Sequence, residues 1–103
     1  MKNTEVSDMR DRRDRTFLVY VLLTHLDDAR TSSDACTHHS LEHKMRTNWK
    51  VVCYLLDKAA ANGWVEYDTR TKVYRITEAG QSFRALLEKA ISPIYQDYLE
   101  RRS

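Results

Sequence analysis

Residues 63–80 read Gly63-Trp64-Val65-Glu66-Tyr67-Asp68-Thr69-Arg70-Thr71-Lys72-Val73-Tyr74-Arg75-Ile76-Thr77-Glu78-Ala79-Gly80. Two runs rich in β-branched and aromatic residues, Trp64 to Tyr67 and Val73 to Ile76, flank the polar stretch Asp68 to Lys72. Side chains of the first kind fit a pleated surface, and the polar stretch turns the chain. The segment therefore predicts a β-hairpin with a basic tip. Gly63 stands where a preceding helix needs a left-handed residue to end. Thr77 can cap a following helix through its hydroxyl, and Gly80 permits close packing on that helix's first turn.

Towards the N-terminus the period changes from strand to helix. Val52, Leu55, Leu56 and Ala59 form an apolar stripe on a helix running to about Asn62, with Thr47 as its expected N-cap. A short helix fits around Ser40 to Arg46. Thr31-Ser32-Ser33-Asp34 is a cluster of turn and cap formers that ends the first helix, which spans about Met9 to Ala29 without Gly or Pro. In that helix Phe17, Tyr20, Val21 and Thr24 share one stripe, and Leu18, Leu22, His25 and Ala29 share the next, so more than one face is buried. Towards the C-terminus, Phe83, Leu86, Leu87, Ala90 and Ile91 mark a helix. Ser92-Pro93 predicts a sharp kink or a fifth helix, along which Ile94, Tyr95, Tyr98 and Leu99 continue the apolar stripe.

Composition bounds the class. The 103 residues, 42% hydrophobic and 31% charged with 2 Gly and 1 Pro, suit one mostly helical globular domain. Residues 1–8 read as a disordered polar tail and residues 9–103 as the domain. No apolar run reaches the length of a membrane span, and no hydrophobic secretory segment follows the N-terminus, so a cytoplasmic protein (host cytoplasm if viral) is expected. The two cysteines, Cys36 and Cys53, make no disulfide framework, and Cys53 reads as a small core residue. Net charge is +2, unevenly spread: −2 over residues 1–42, +4 over 43–75 and zero over 76–103. A basic middle between acidic or neutral ends points to a polyanion.

Helix, short helix, helix, hairpin, long helix is an α+β, mostly α order that fits a winged helix-turn-helix: a three-helix core, a two-stranded wing and a long C-terminal helix. Residues 40–80 resemble the winged-helix transcription regulators of the MarR, ArsR and PadR groups, of archaeal or viral type. The resemblance is carried by Leu55-Leu56, Gly63-Trp64-Val65 and Tyr74-Arg75-Ile76-Thr77-Glu78-Ala79-Gly80, and covers about 40 residues. It implies a homodimer that binds double-stranded DNA through the third helix in the major groove, with the wing on the adjacent backbone. Carried onto this chain, the DNA-binding residues are Arg46, Thr47, Asn48, Lys50, Val51 and Tyr54, with Arg70, Thr71 and Lys72 at the wing tip. Asn and Lys suit base edges or phosphates, and the wing cations neutralise backbone charge. Trp49 is expected at the edge of the core. The recognition helix has no Arg and carries Asp57, a departure that favours readout by shape and backbone or, alternatively, a protein-binding winged helix such as an adaptor or viral host-factor binder.

The dimer interface is expected on the first and last helices, C-terminal helix 78–101 included, at Phe17, Tyr20, Leu87, Ile91, Ile94, Tyr95 and Tyr98. A lesser alternative is a metal-responsive repressor. His39 and His43, four residues apart, share a helix face as paired ligands do, and Cys36 lies near them in sequence. Cys36-x-His38-His39 matches no standard zinc spacing, so no cofactor is expected. There is no Gly-rich phosphate loop, nucleophile motif or paired-carboxylate arrangement, and an enzyme is not expected.

Overall fold

The computed structural model describes residues 13–32 and 35–102, with the side chains of the last helix described as far as Ile91 and at Pro93. The expected tail over residues 1–8 lies outside them. Helix α1 spans Arg15–Asp28 and runs into a 3-10 turn at Ala29–Thr31. The predicted stretch over residues 9–12 lies outside the described residues; at the start of α1 the Asp14 carboxylate accepts hydrogen bonds from the backbone of Thr16 (2.8 Å) and Phe17 (3.3 Å) and so fixes the first turn. Leu18, Leu22, Leu23 and Leu26 are buried, with Val19 and Val21 packed at the margin. α1 is the central post, touching both middle helices, the hairpin and the last helix.

Helix α2 spans His38–Met45. It begins two residues before the predicted Ser40, because Thr37 and Ser40 cap each other reciprocally: the Thr37 hydroxyl accepts from Ser40 N at 3.1 Å, and the Thr37 N–H donates to Ser40 Oγ at 3.0 Å. It ends at Arg46, a non-glycine residue in the left-handed region with φ 55°. Helix α3 spans Trp49–Ala61. Its N-cap is Asn48, whose side-chain oxygen accepts from Val51 N at 3.0 Å. Thr47, the predicted cap, is taken up one residue earlier, its N–H donating to the Glu42 carbonyl at 3.2 Å. As the periodicity indicated, Val52, Leu55, Leu56 and Ala59 are buried.

Strands β1 (Val65–Asp68) and β2 (Val73–Ile76) form an antiparallel hairpin pairing Val65 with Ile76 and Tyr67 with Tyr74. Asp68 organises the tip by accepting from Arg70 N at 2.9 Å and Thr71 N at 3.4 Å, and Lys72 closes it at φ 63°. On its other edge β2 meets the segment before α2, where Tyr74 N donates to the Cys36 carbonyl at 2.8 Å.

Helix α4 spans Glu78–Arg102. Gly63, at φ 75°, ends α3 as expected. Thr77 then latches the exit of α3 to the entry of α4: its hydroxyl donates to the Gly63 carbonyl at 2.6 Å and accepts from Gly80 N at 3.0 Å. Trp64 stacks on Phe83 with rings 4.0 Å apart, tying the same joint from the side. α4 continues through Pro93 as one helix, so the predicted fifth helix does not separate. The missing proline N–H removes one bond to Lys89 without ending the remaining ladder. Among the described residues the architecture is thus α+β and mostly helical: four helices and one two-stranded sheet around a core filled chiefly from α1, α2 and α3.

Candidate nucleic-acid interface

Helix α3 is buried on one side and open on the other, and the open side divides in two. Lys50, Tyr54 and Lys58 succeed one another at intervals of four, so they share a face. Tyr54 is 37% exposed. The Lys58 ammonium lies 5.4 Å from its ring centroid and the Arg15 guanidinium, from the start of α1, lies 4.9 Å from it. The Tyr54 ring thus attracts two cations, Arg15 and Lys58, to its π-system. Beside this ring runs an open groove of about 260 Å³, lined by Arg15, Val19, Tyr54, Lys58, Trp64 and Phe83. A polar aromatic among three cations offers charge to phosphate oxygens and an apolar edge to a base or sugar.

The second face carries Trp49, Cys53 and Asp57. Trp49 is 55% exposed, with its ring on that of His38 from α2, centroids 3.6 Å apart. It belongs to the surface, not to the core edge where its place beside the apolar stripe had put it, because α2 presents an imidazole there instead of an aliphatic wall. His38 Nε2 lies 3.3 Å from Cys53 Sγ. Cys53 is therefore half-buried at the α2–α3 seam, outside the apolar core in which it was expected. Burial pushes its thiol pKa up, and the charges of Asp57 and Glu42 push it further. Burial lowers the pKa of His38, with Glu42 opposing. The cross-strand rings of Tyr67 and Tyr74 stand 4.6 Å apart, and Tyr67 is 44% exposed.

Among the residues expected to meet DNA, Arg46, Lys50, Arg70, Thr71 and Lys72 are exposed, and Thr47 is half-buried. Asn48 is committed to its capping bond. Val51 is 1% exposed, so it cannot meet a ligand: α3 buries a wider arc than its four-residue stripe, and Val51 packs beside Val52 and Leu55. Arg15 and Lys58 were not singled out. Lys58 follows from the spacing of Lys50 and Tyr54, whereas Arg15 reaches the site only through the fold.

Of the expected dimer residues, Phe17 and Tyr20 are half-buried, with ring centroids 6.4 Å apart, and Arg84 stands 5.8 Å from the Tyr20 ring centroid. Leu87 is only 7% exposed, so its own chain already covers it. Ile91 is half-buried, while the side chains of Ile94, Tyr95 and Tyr98 lie outside those described. Leu86, expected in the core, is 62% exposed because α4 turns that side away from α1. The metal set does not assemble. Cys36 is buried, with its sulfur 3.8 Å from the His25 carbonyl oxygen, while His39 and His43 pair edge to face at 4.8 Å on an exposed surface. Among the described residues no helix is long and apolar enough to cross a membrane. The chain matches no family model, no curated protein and no solved structure.

Proposed function

We propose that the chain is a winged helix-turn-helix protein that binds double-stranded DNA as a homodimer and regulates transcription in the cytoplasm of a cell or, for a viral protein, of its host. The observation that carries this reading is the open basic face of α3, where Lys50, Tyr54 and Lys58 are joined by Arg15. α3 follows α2 across a tight turn at Arg46 and precedes a hairpin whose tip carries Arg70 and Lys72. A helix set this way lies in the major groove, with the turn and hairpin against phosphates. Asp57 on the neighbouring face and the absence of Arg from α3 favour backbone and shape over base-edge readout.

The dimer rests on α4. Its 25 residues outrun the 14 of α1, against which it packs. The difference in length, about 16 Å at 1.5 Å per residue, leaves a C-terminal part of α4 whose apolar sequence pattern a second copy would cover. Fluorescence anisotropy with labelled duplexes, repeated across salt concentrations, tests the DNA reading. Binding that weakens steeply with salt supports it, and binding that is absent or indifferent to salt rejects it. A protein-binding winged helix is the second reading, favoured by the exposure of Trp49 and Tyr67. It predicts no duplex affinity and loss of a protein partner on Trp49→Ala.

A further inference from the structure

We propose that the side of α3 carrying Trp49 and Asp57, continued by Tyr67 and Tyr74 of the hairpin, docks an arginine-bearing segment of a partner protein. This is the surface on which the protein-binding reading rests, and it shares no residue with the basic face of Lys50, Tyr54 and Lys58.

The surface is continuous. Trp49, Cys53 and Asp57 follow at intervals of four and share one side of α3. Trp49 leans on His38 of α2, ring centroids 3.6 Å apart, and His38 Nε2 lies 3.3 Å from Cys53 Sγ. The hairpin borders the same seam, because Tyr74 N donates at 2.8 Å to the carbonyl of Cys36, just before α2. Val65 and Ile76 pair on the hairpin face that meets the core. Tyr67 and Tyr74, the next pair on that face, extend it towards the tip with rings 4.6 Å apart. Trp49 and Tyr67 are both exposed.

Carboxylates stand among these rings. Asp57 is exposed and Glu42, one turn beyond His38 on α2, is half-buried; among the described residues neither forms an ion pair. Burial raises the pKa of the Cys53 thiol and of the Tyr74 hydroxyl, and the charge of Asp57 adds to both, that of Glu42 to the first. The negative field therefore spans the helix and the hairpin. Charge complementarity selects the occupant. An acidic segment is repelled, and a purely apolar one would leave Asp57 covered and unpaired. A guanidinium satisfies both halves of the surface, stacking flat on Trp49 or Tyr67 and meeting a carboxylate with its planar fork. From Trp49 to Asp57 the helix rises about 12 Å, the length of about four extended residues. One short stretch of chain can thus set one arginine over Trp49 and another against Asp57.

Anisotropy of a short fluorescein-labelled peptide alternating arginine and glycine, titrated with the full chain, tests the surface. Saturable binding is expected, weaker for the matching lysine peptide and absent for the matching glutamate peptide. Trp49→Ala should weaken it about tenfold and Asp57→Asn about threefold, and Asp57→Lys should abolish it. Lys58→Ala, on the basic face, should bind the peptide as the parent does. No saturable binding, equal affinity for the arginine and lysine peptides, full affinity in Asp57→Lys, or a loss in Lys58→Ala equal to that in Trp49→Ala overturns the proposal. Asp57 is exposed and its substitution leaves the core untouched, so Asp57→Lys decides even if Trp49→Ala disturbs the seam at His38. Duplex affinity is read separately by the salt titrations, so failure of the peptide to bind is distinct from failure of the DNA reading.

Discussion

At Gly80 a methyl group would fall inside contact distance of the Trp64 carbonyl oxygen and 2.7 Å from Ile76 Cγ1. The backbone oxygen cannot move without opening the joint between α3 and α4. Gly80→Ala should therefore cost about 3 kcal/mol in urea unfolding, the upper range for overpacking. Gly63 differs: a Cβ there meets nothing within 4 Å, but φ is 75°. Gly63→Ala should cost only about 1 kcal/mol, the left-handed penalty alone. Equal costs at the two sites would contradict this account. His25 and His38 add a pH dependence. Both pKa values lie below the ordinary 6.5, burial being the first cause in each; Lys44 adds to it at His25 and Asp28 opposes, while Glu42 opposes at His38. The unfolded chain therefore binds more protons than the folded one between the lowered values and 6.5. Stability from these groups is complete above 6.5 and declines as the pH falls through that window. Urea midpoints should drop between about pH 7 and about pH 5, and a His25→Gln/His38→Gln variant should flatten that drop.

Elements whose ends depend on local bonds were readable from residue order. The hairpin, the Gly63 stop and the Thr77 cap follow from backbone conformation and nearest neighbours; the stop and the cap stand where the sequence placed them, and the first strand is shifted by one residue, to Val65–Asp68. Where two similar residues compete, position in the fold decides. Thr47 and Asn48 both form caps. Asn48 prevails: its side-chain oxygen accepts from Val51 N at 3.0 Å, while Thr47 closes the end of α2 with its N–H on the Glu42 carbonyl. Asn48→Ala should then cost about 1 kcal/mol by chemical denaturation, and Thr47→Ala clearly less. A larger loss at Thr47 would return the cap to that residue. The two faces of α3 were the harder part. Val51 is covered through packing across elements, and Trp49 lies on an imidazole contributed by α2. Neither contact leaves a trace in the spacing along α3, so the candidate site was legible in its charges and not in its boundaries.

Across the whole molecule the cations come from separate places: the start of α1, one face of α3, the turn at Arg46 and the hairpin tip. If the proposed duplex bridges them, each neutralised phosphate contributes about −0.9 to the slope of log affinity against log salt. Arg15→Ala, Lys58→Ala and Lys72→Ala should each make that slope shallower by about 1 and weaken all sequences alike. Arg15 is the sharpest case, since it lies 34 residues before the start of α3 and meets the interface only because α1 packs beside Tyr54. Asp57→Asn, on the other face of the same helix, should leave the slope unchanged. Anisotropy titrations at several salt concentrations read both. An effect at Asp57 equal to that at Arg15 would mean that the duplex does not distinguish the faces, and the division of α3 into a nucleic-acid side and an acidic, aromatic side would fail with it.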